Sequence, residues 1–109
     1  MKGKYKAAFI LPKGVKKTLC GDGWNFESSI RLPEKIKKSF IESFGLEYSE
    51  SYLGIDVYTN ENIQMSVMND DKSTIEFISF QIYDGEIESF KSKANSWHES
   101  AELFIPNEE

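Results

Sequence analysis

The chain has 109 residues, 39% of them hydrophobic and 28% charged, with one cysteine. That is enough for a single domain with a modest core that needs no metal or disulfide staple. Cys20 has no partner for an internal disulfide, so cysteine usage points to a reducing, cytoplasmic setting. The early apolar stretch, residues 7–11, is far too short for a secretory core or a membrane span.

The net charge of −5 conceals a split. Residues 1–40 hold ten Lys/Arg against three Asp/Glu, and residues 41–109 hold three against fifteen. The first seventeen residues contain six lysines and no acid. This asymmetry predicts an electropositive arm on an electronegative body. Plain solvation of two mutually attracting halves is the blander account.

Tyr5 to Leu11 reads as a short strand stopped by Pro12 and Gly14. Val15 to Gly23 reads as a loop, and Trp24 to Ile30 as a second strand by alternation. Helix signals then cluster. Pro33 fits the first helical position, Glu34 complements the positive helix end, and Ile36, Phe40, Ile41 and Phe44 form one stripe. Gly45 supplies a left-handed stop. Leu46 to Ser51 reads as a connection.

Leu53, Ile55 and Val57 alternate with polar neighbours, as do Ile63, Met65 and Val67 after the turn at residues 60–62. The run Thr74 to Tyr83, TIEFISFQIY, is the longest stretch rich in β-branched and aromatic residues. Its apolar phase flips between Phe77 and Ile78. Two covered faces, a bulge at the flip, or a sticky end of one face each explain that. The favoured reading places Ile78, Phe80 and Ile82 inward, with Ile75 and Phe77 on the other side beside Ser79, Gln81 and Tyr83. Asp84 reads as the N-cap of a second helix carrying Ile87, Phe90, Ala94 and Trp97. Ala101 to Ile105 is a last strand ended by Pro106. The expected fold is therefore α+β in one domain, residues 1–109. A three-strand meander plus N- and C-terminal strands forms an antiparallel sheet, with two helices on one face.

No complete catalytic or metal signature is present, and no cofactor is expected. Cys20 and His98 are the only candidates for a thiol–imidazole pair, which makes a cysteine-dependent enzyme the weaker alternative. Their spacing matches no signature. Cys and His are too few for a zinc site, and Asp70-Asp71-Lys72 lacks the alternating oxygens of a calcium loop. Lys2, Lys4, Lys6, Lys13, Lys16 and Lys17, interleaved with Tyr5 and Phe9, support a nucleic-acid reading. The acidic body would repel that same polyanion.

The preferred surface is the non-core face of the meander. Alternation places Tyr52, Asp56 and Tyr58 together, with Gln64 on the partner strand and Phe77, Gln81 and Tyr83 continuing the face. Tyrosine is enriched among residues that dominate protein–protein binding, and acids steer a basic partner. Self-association through this face is a further reading.

The pattern LPEKIKKSFIESFGL, then YLGIDVYTNENIQMSVM, then IEFISFQIY, a helix and LFIP resembles small immunity proteins of bacterial contact-dependent and other polymorphic-toxin systems. The likeness runs from Leu32 to Glu109. It implies an inhibitor without turnover that binds a cognate toxin domain, such as a nuclease with a basic cleft. The lysine-rich opening is no part of that pattern.

Overall fold

A computed structural model describes residues 5–21, 23–83, 87–94 and 101–106. Among these, eight strands and two helices follow in the order β1 (Tyr5–Pro12), β2 (Lys16–Cys20), β3 (Gly23–Glu27), α1 (Glu34–Phe44), β4 (Glu47–Tyr52), β5 (Ile55–Thr59), β6 (Ile63–Asn69), β7 (Ile75–Tyr83), α2 (Ile87–Ala94) and β8 (Ala101–Phe104). Six strands make one antiparallel sheet, β4-β5-β6-β7-β1-β8, and β2-β3 make a separate hairpin. The α+β class with an antiparallel sheet holds.

Residues paired across an antiparallel ladder share a face, so the registers sort the sheet. Ile63, Met65 and Val67 lie opposite Ile82, Phe80 and Ile78, and β1 adds Ile10 and Ala8 to the same side. All are buried. The helices cover this face. Phe40 of α1 meets Phe80 at 4.9 Å and Phe90 of α2 at 5.8 Å, and Phe80 meets Phe90 at 4.7 Å. Burying three such rings contributes about 1.5–3 kcal/mol each. Pro33 is the N-cap, one place earlier than the expected first helical position, with extended φ and ψ of −73° and 148°. Gly45 closes α1 in the left-handed region at φ 62°. The expected N-cap Asp84 and the helical Trp97 lie outside the described residues.

The apolar phase in β7 has two causes: at Phe77–Ile78 both faces are covered, with Phe26 and Phe9 over Phe77, and before Phe77 the strand carries a bulge. Met68 pairs with Phe77 but Asn69 pairs with Ile75, so Glu76 is the extra residue. Ile75 thereby turns inward and is 1% exposed. The expectation that Ile75 shares the outer face with Phe77 is corrected. Leu32 bridges to Ile75 and its N–H donates to the Ile75 carbonyl at 2.9 Å, which ties the segment before α1 to this strand.

Two strands occupy stretches that the sequence pattern marks as connections. β2 lies in the expected loop Val15–Gly23 and pairs with β3, closing at Cys20↔Gly23 with Gly21 at φ 61°. Its Lys-rich residues carry little apolar alternation, which hid it. β4 occupies the expected connection Leu46–Ser51. It is an edge strand with every residue exposed, so no inward apolar row marks it.

Candidate functional site

The seven residues expected on one binding face divide between two. Tyr52 pairs with Ile55, Ile55 with Met68 and Met68 with Phe77, while Gln64 pairs with Gln81. Tyr52, Gln64, Phe77, Gln81 and Tyr83 therefore share the face away from the helices. Tyr58 pairs with Met65 and Asp56 with Val67, which puts both on the helix side. Strict alternation along β5 demands this: Tyr58 and Asp56 are one phase, and the outward phase is Ile55, Val57 and Thr59. Tyr58 packs against the core edge, and Asp56 is committed to a local bond network.

Phe77 is also withdrawn from solvent. The β2–β3 hairpin lies over this end of the outer face, and Phe26 meets Phe77 at 5.0 Å and Phe9 at 5.0 Å. Phe104 and Trp24 extend the cluster, 5.0 Å apart. Lys17 anchors the hairpin to β8, with Nζ 3.3 Å from Glu102 and 5.5 Å from the Phe104 ring. That lysine belongs to the basic segment that supports the nucleic-acid reading, and it serves the chain's own acid. Lys13 and Lys16 are exposed, and Lys2 and Lys4 lie outside the described residues.

The exposed part of the outer face is its β4 row; in β5 beside it, Val57 is buried and Ile55 and Thr59 are half-buried. Its edge carries exposed apolar side chains on both sides. Tyr52 is 54% exposed, Tyr48 is 60% exposed and Leu53, at the turn, is 90% exposed. Tyr48 packs edge-on against Tyr58 at 5.7 Å, which fixes its direction. Glu47 and Glu50 pair with Thr59 and Val57, so they share the outer side with Tyr52. The residue left over between Tyr48 and Glu50 forms a second bulge.

Along the sequence, the segment that builds this end is one-sided in charge, while Lys93 reaches its α1 border from α2, with Nζ 2.9 Å from the Ser43 carbonyl. From residue 39 to residue 71 there is no Lys or Arg, and there are seven Asp/Glu. The nearest cation in sequence before that run, apart from α1's lysines, is Arg31. Its guanidinium is occupied, with Nε 2.9 Å from Asp70 and a second nitrogen 3.8 Å from Glu76. Asp70 also accepts from the Thr74 hydroxyl at 2.6 Å, the Thr74 N–H at 2.9 Å and the Lys72 N–H at 2.9 Å. Thr74's bonds first, then Arg31, hold the Asp70 carboxyl well below the usual carboxylate range. Asp70 is thus a clasp for the β6–β7 turn rather than a free ligand.

The support beneath the open end is equally specific. Asn60 Oδ1 accepts from the N–H groups of Asn62 and Ile63 at 2.7 and 2.8 Å, and its Nδ2 donates to the Phe44 carbonyl at 2.8 Å. The β5–β6 turn is thereby tied to the end of α1. Such a surface suits adhesion to another macromolecule: rigid strands, exposed tyrosines, one sign of charge.

Cys20 stands exposed at the end of β2, and His98, its partner in the enzyme reading, lies outside the described residues. Among the described residues no group of three or more His, Cys, Asp or Glu is placed to hold a metal. No described helix is long and apolar enough to cross a membrane.

Sequence reasoning missed Tyr48, Leu53, Glu47 and Glu50 as surface residues of one hairpin. The available signal was a 33-residue acidic stretch without a base, with two tyrosines four apart flanking Ser-Glu-Ser. No family model, curated protein or solved structure matches this chain.

Proposed function

We propose that the chain is a binding protein without turnover of its own, acting in the cytoplasm as an immunity protein that neutralises a cognate toxin domain. The carrying observation is the exposed Tyr48, Tyr52 and Leu53 on a strand edge within a segment free of basic residues. Aromatic anchors supply desolvated contact area, while the acidic surround speeds encounter with a basic partner and makes it salt-sensitive. A nuclease toxin with a basic cleft fits that charge. The Leu32-to-Glu109 likeness to immunity proteins supports the same reading from the sequence side.

The test is co-expression with the product of the adjacent gene, the expected place of a cognate toxin domain. Growth restored by the wild-type chain, and lost when Tyr48, Tyr52 and Leu53 are all replaced by Ser, is the expected result. Undiminished toxicity in the presence of the folded wild-type chain rejects the reading.

A further inference from the structure

The apex of the β4–β5 hairpin carries a residue poorly suited to the turn it occupies. Tyr52 pairs with Ile55, leaving the two-residue loop Leu53-Gly54. Both residues have positive φ, 51° and 83°. Loops of this kind favour Asn-Gly, because asparagine and glycine tolerate the left-handed region. A bulky leucine there is an outlier. Gly54 meets the demand, since a Cβ at that position would lie 3.3 Å from the Asn69 carbonyl. Leu53 does not, and its side chain recovers nothing by packing, being 90% exposed.

A strained conformation persists only where the surroundings over-determine it. They do so here. The Gly54 carbonyl accepts two bonds from Asn69, and Asp56 is held by Ser51 and Asn69. The leucine is presented on a braced support rather than tolerated on a loose one. Leucine is not common among binding anchors, so the backbone and the exposure carry the argument, not the residue type.

We propose that Leu53 is the anchor of a protein interface. Its side chain enters an apolar socket on a protein partner, flanked by Tyr52 on the outer side of β4, while Glu50 and, farther along that same side, Glu47 meet lysines and arginines beyond the socket. The partner's charge follows from Glu47 and Glu50, exposed on the outer side of β4. A second copy of this chain would bring acid against acid at the same edge. The inference rests on the binding reading above and narrows it to one residue and one partner chemistry.

The test uses the full chain and its Leu53→Asn variant. Thermal unfolding comes first, and the variant should unfold about 4 °C higher, as relief of turn strain predicts. A lower midpoint overturns the proposal, because Leu53 then stabilises the chain itself. A random-peptide display library panned on the wild type supplies the binding probe. Enriched peptides should carry an apolar residue among Lys/Arg and should bind Leu53→Asn about tenfold more weakly, with Leu53→Met close to wild type. Equal binding to both proteins, or no enrichment, overturns it. So does a wild-type dimer that Leu53→Asn dissolves, which would make the occupant a second copy. If the peptides behave as expected while co-expression leaves toxicity undiminished, the anchor stands and the immunity reading falls.

Discussion

Asn69 holds the carbonyl of Gly54 twice, through its backbone N–H and through its side-chain Nδ2, each at 3.0 Å. The same amide donates to the Asp56 carboxylate at 3.0 Å. One side chain of β6 therefore braces the turn between β4 and β5. Asn69→Ala should cost about 1 kcal/mol in chemical denaturation, the usual net worth of such bonds on a part-exposed site. Amide exchange over residues 51–56 should quicken by more than the global change accounts for. Unchanged exchange there would mean that β4–β5 pairing alone sets the hairpin.

Asp70 gives the chain a defined response to acid. Its carboxyl lies well below its ordinary value of 3.8, chiefly through the bonds from Thr74 and then Arg31. A depressed folded-state value means that the native protein binds this proton less readily than the unfolded chain does. The stabilisation is complete above 3.8 and is lost as pH falls below it toward the folded value. Asp70→Asn should therefore be less stable than wild type at neutral pH, and the two should converge in acid. Parallel unfolding curves from neutral pH down to about pH 2 would show that the clasp contributes nothing.

The β2–β3 hairpin is held over the sheet by rings rather than by its ion pair. The Lys17–Glu102 pair is part-exposed at 3.3 Å, and such pairs contribute about 0–1 kcal/mol. Phe26 touches Phe9, Phe77 and Phe104 with centroids 5.0, 5.0 and 6.0 Å away. Phe26→Ala should cost about 2–3 kcal/mol, below the range for a fully buried ring because Phe26 is part-exposed. Glu102→Gln should cost under about 1 kcal/mol. Denaturant titration of the two variants checks the order, and a larger loss for Glu102→Gln would reverse the account of what docks the hairpin.

Phe90 is the described side chain through which α2 reaches the core, between Phe40, Phe44 and Phe80. It is fully buried. Phe90→Ala should cost about 3–5 kcal/mol and loosen α2 first, visible as faster exchange over residues 87–94.

What could be read from the sequence was whatever apolar periodicity marks. Ile36 and Phe40 placed α1, and Ile63, Met65 and Val67 placed β6, because each row faces one core. Edge structure escaped that logic. β4 has no buried residue, so EYSESY looked like a link, and β2 is rich in lysine. The binding face failed for a different reason. The inward turn of Ile75 in TIEFISFQIY needed a bulge at Glu76, and only the β6 register locates it. Asp56 and Tyr58 were grouped with Tyr52 across a two-residue turn, but the register sets Tyr52 beside Ile55, in the opposite phase. Leu53 stood in plain view as an apolar strand residue. Its left-handed backbone and its exposure at the apex are properties of the turn, which composition does not reveal.

Association kinetics with the proposed partner, a toxin domain with a basic cleft, bear most directly on the central claim. The wild-type chain should bind at low salt with an on-rate that falls steeply as ionic strength rises. A Glu47→Gln, Glu50→Gln double variant should start slower and respond less to salt. No complex at micromolar concentration in low salt, or one whose formation ignores both salt and these two glutamates, would contradict the assignment of the acidic hairpin as the partner-binding surface.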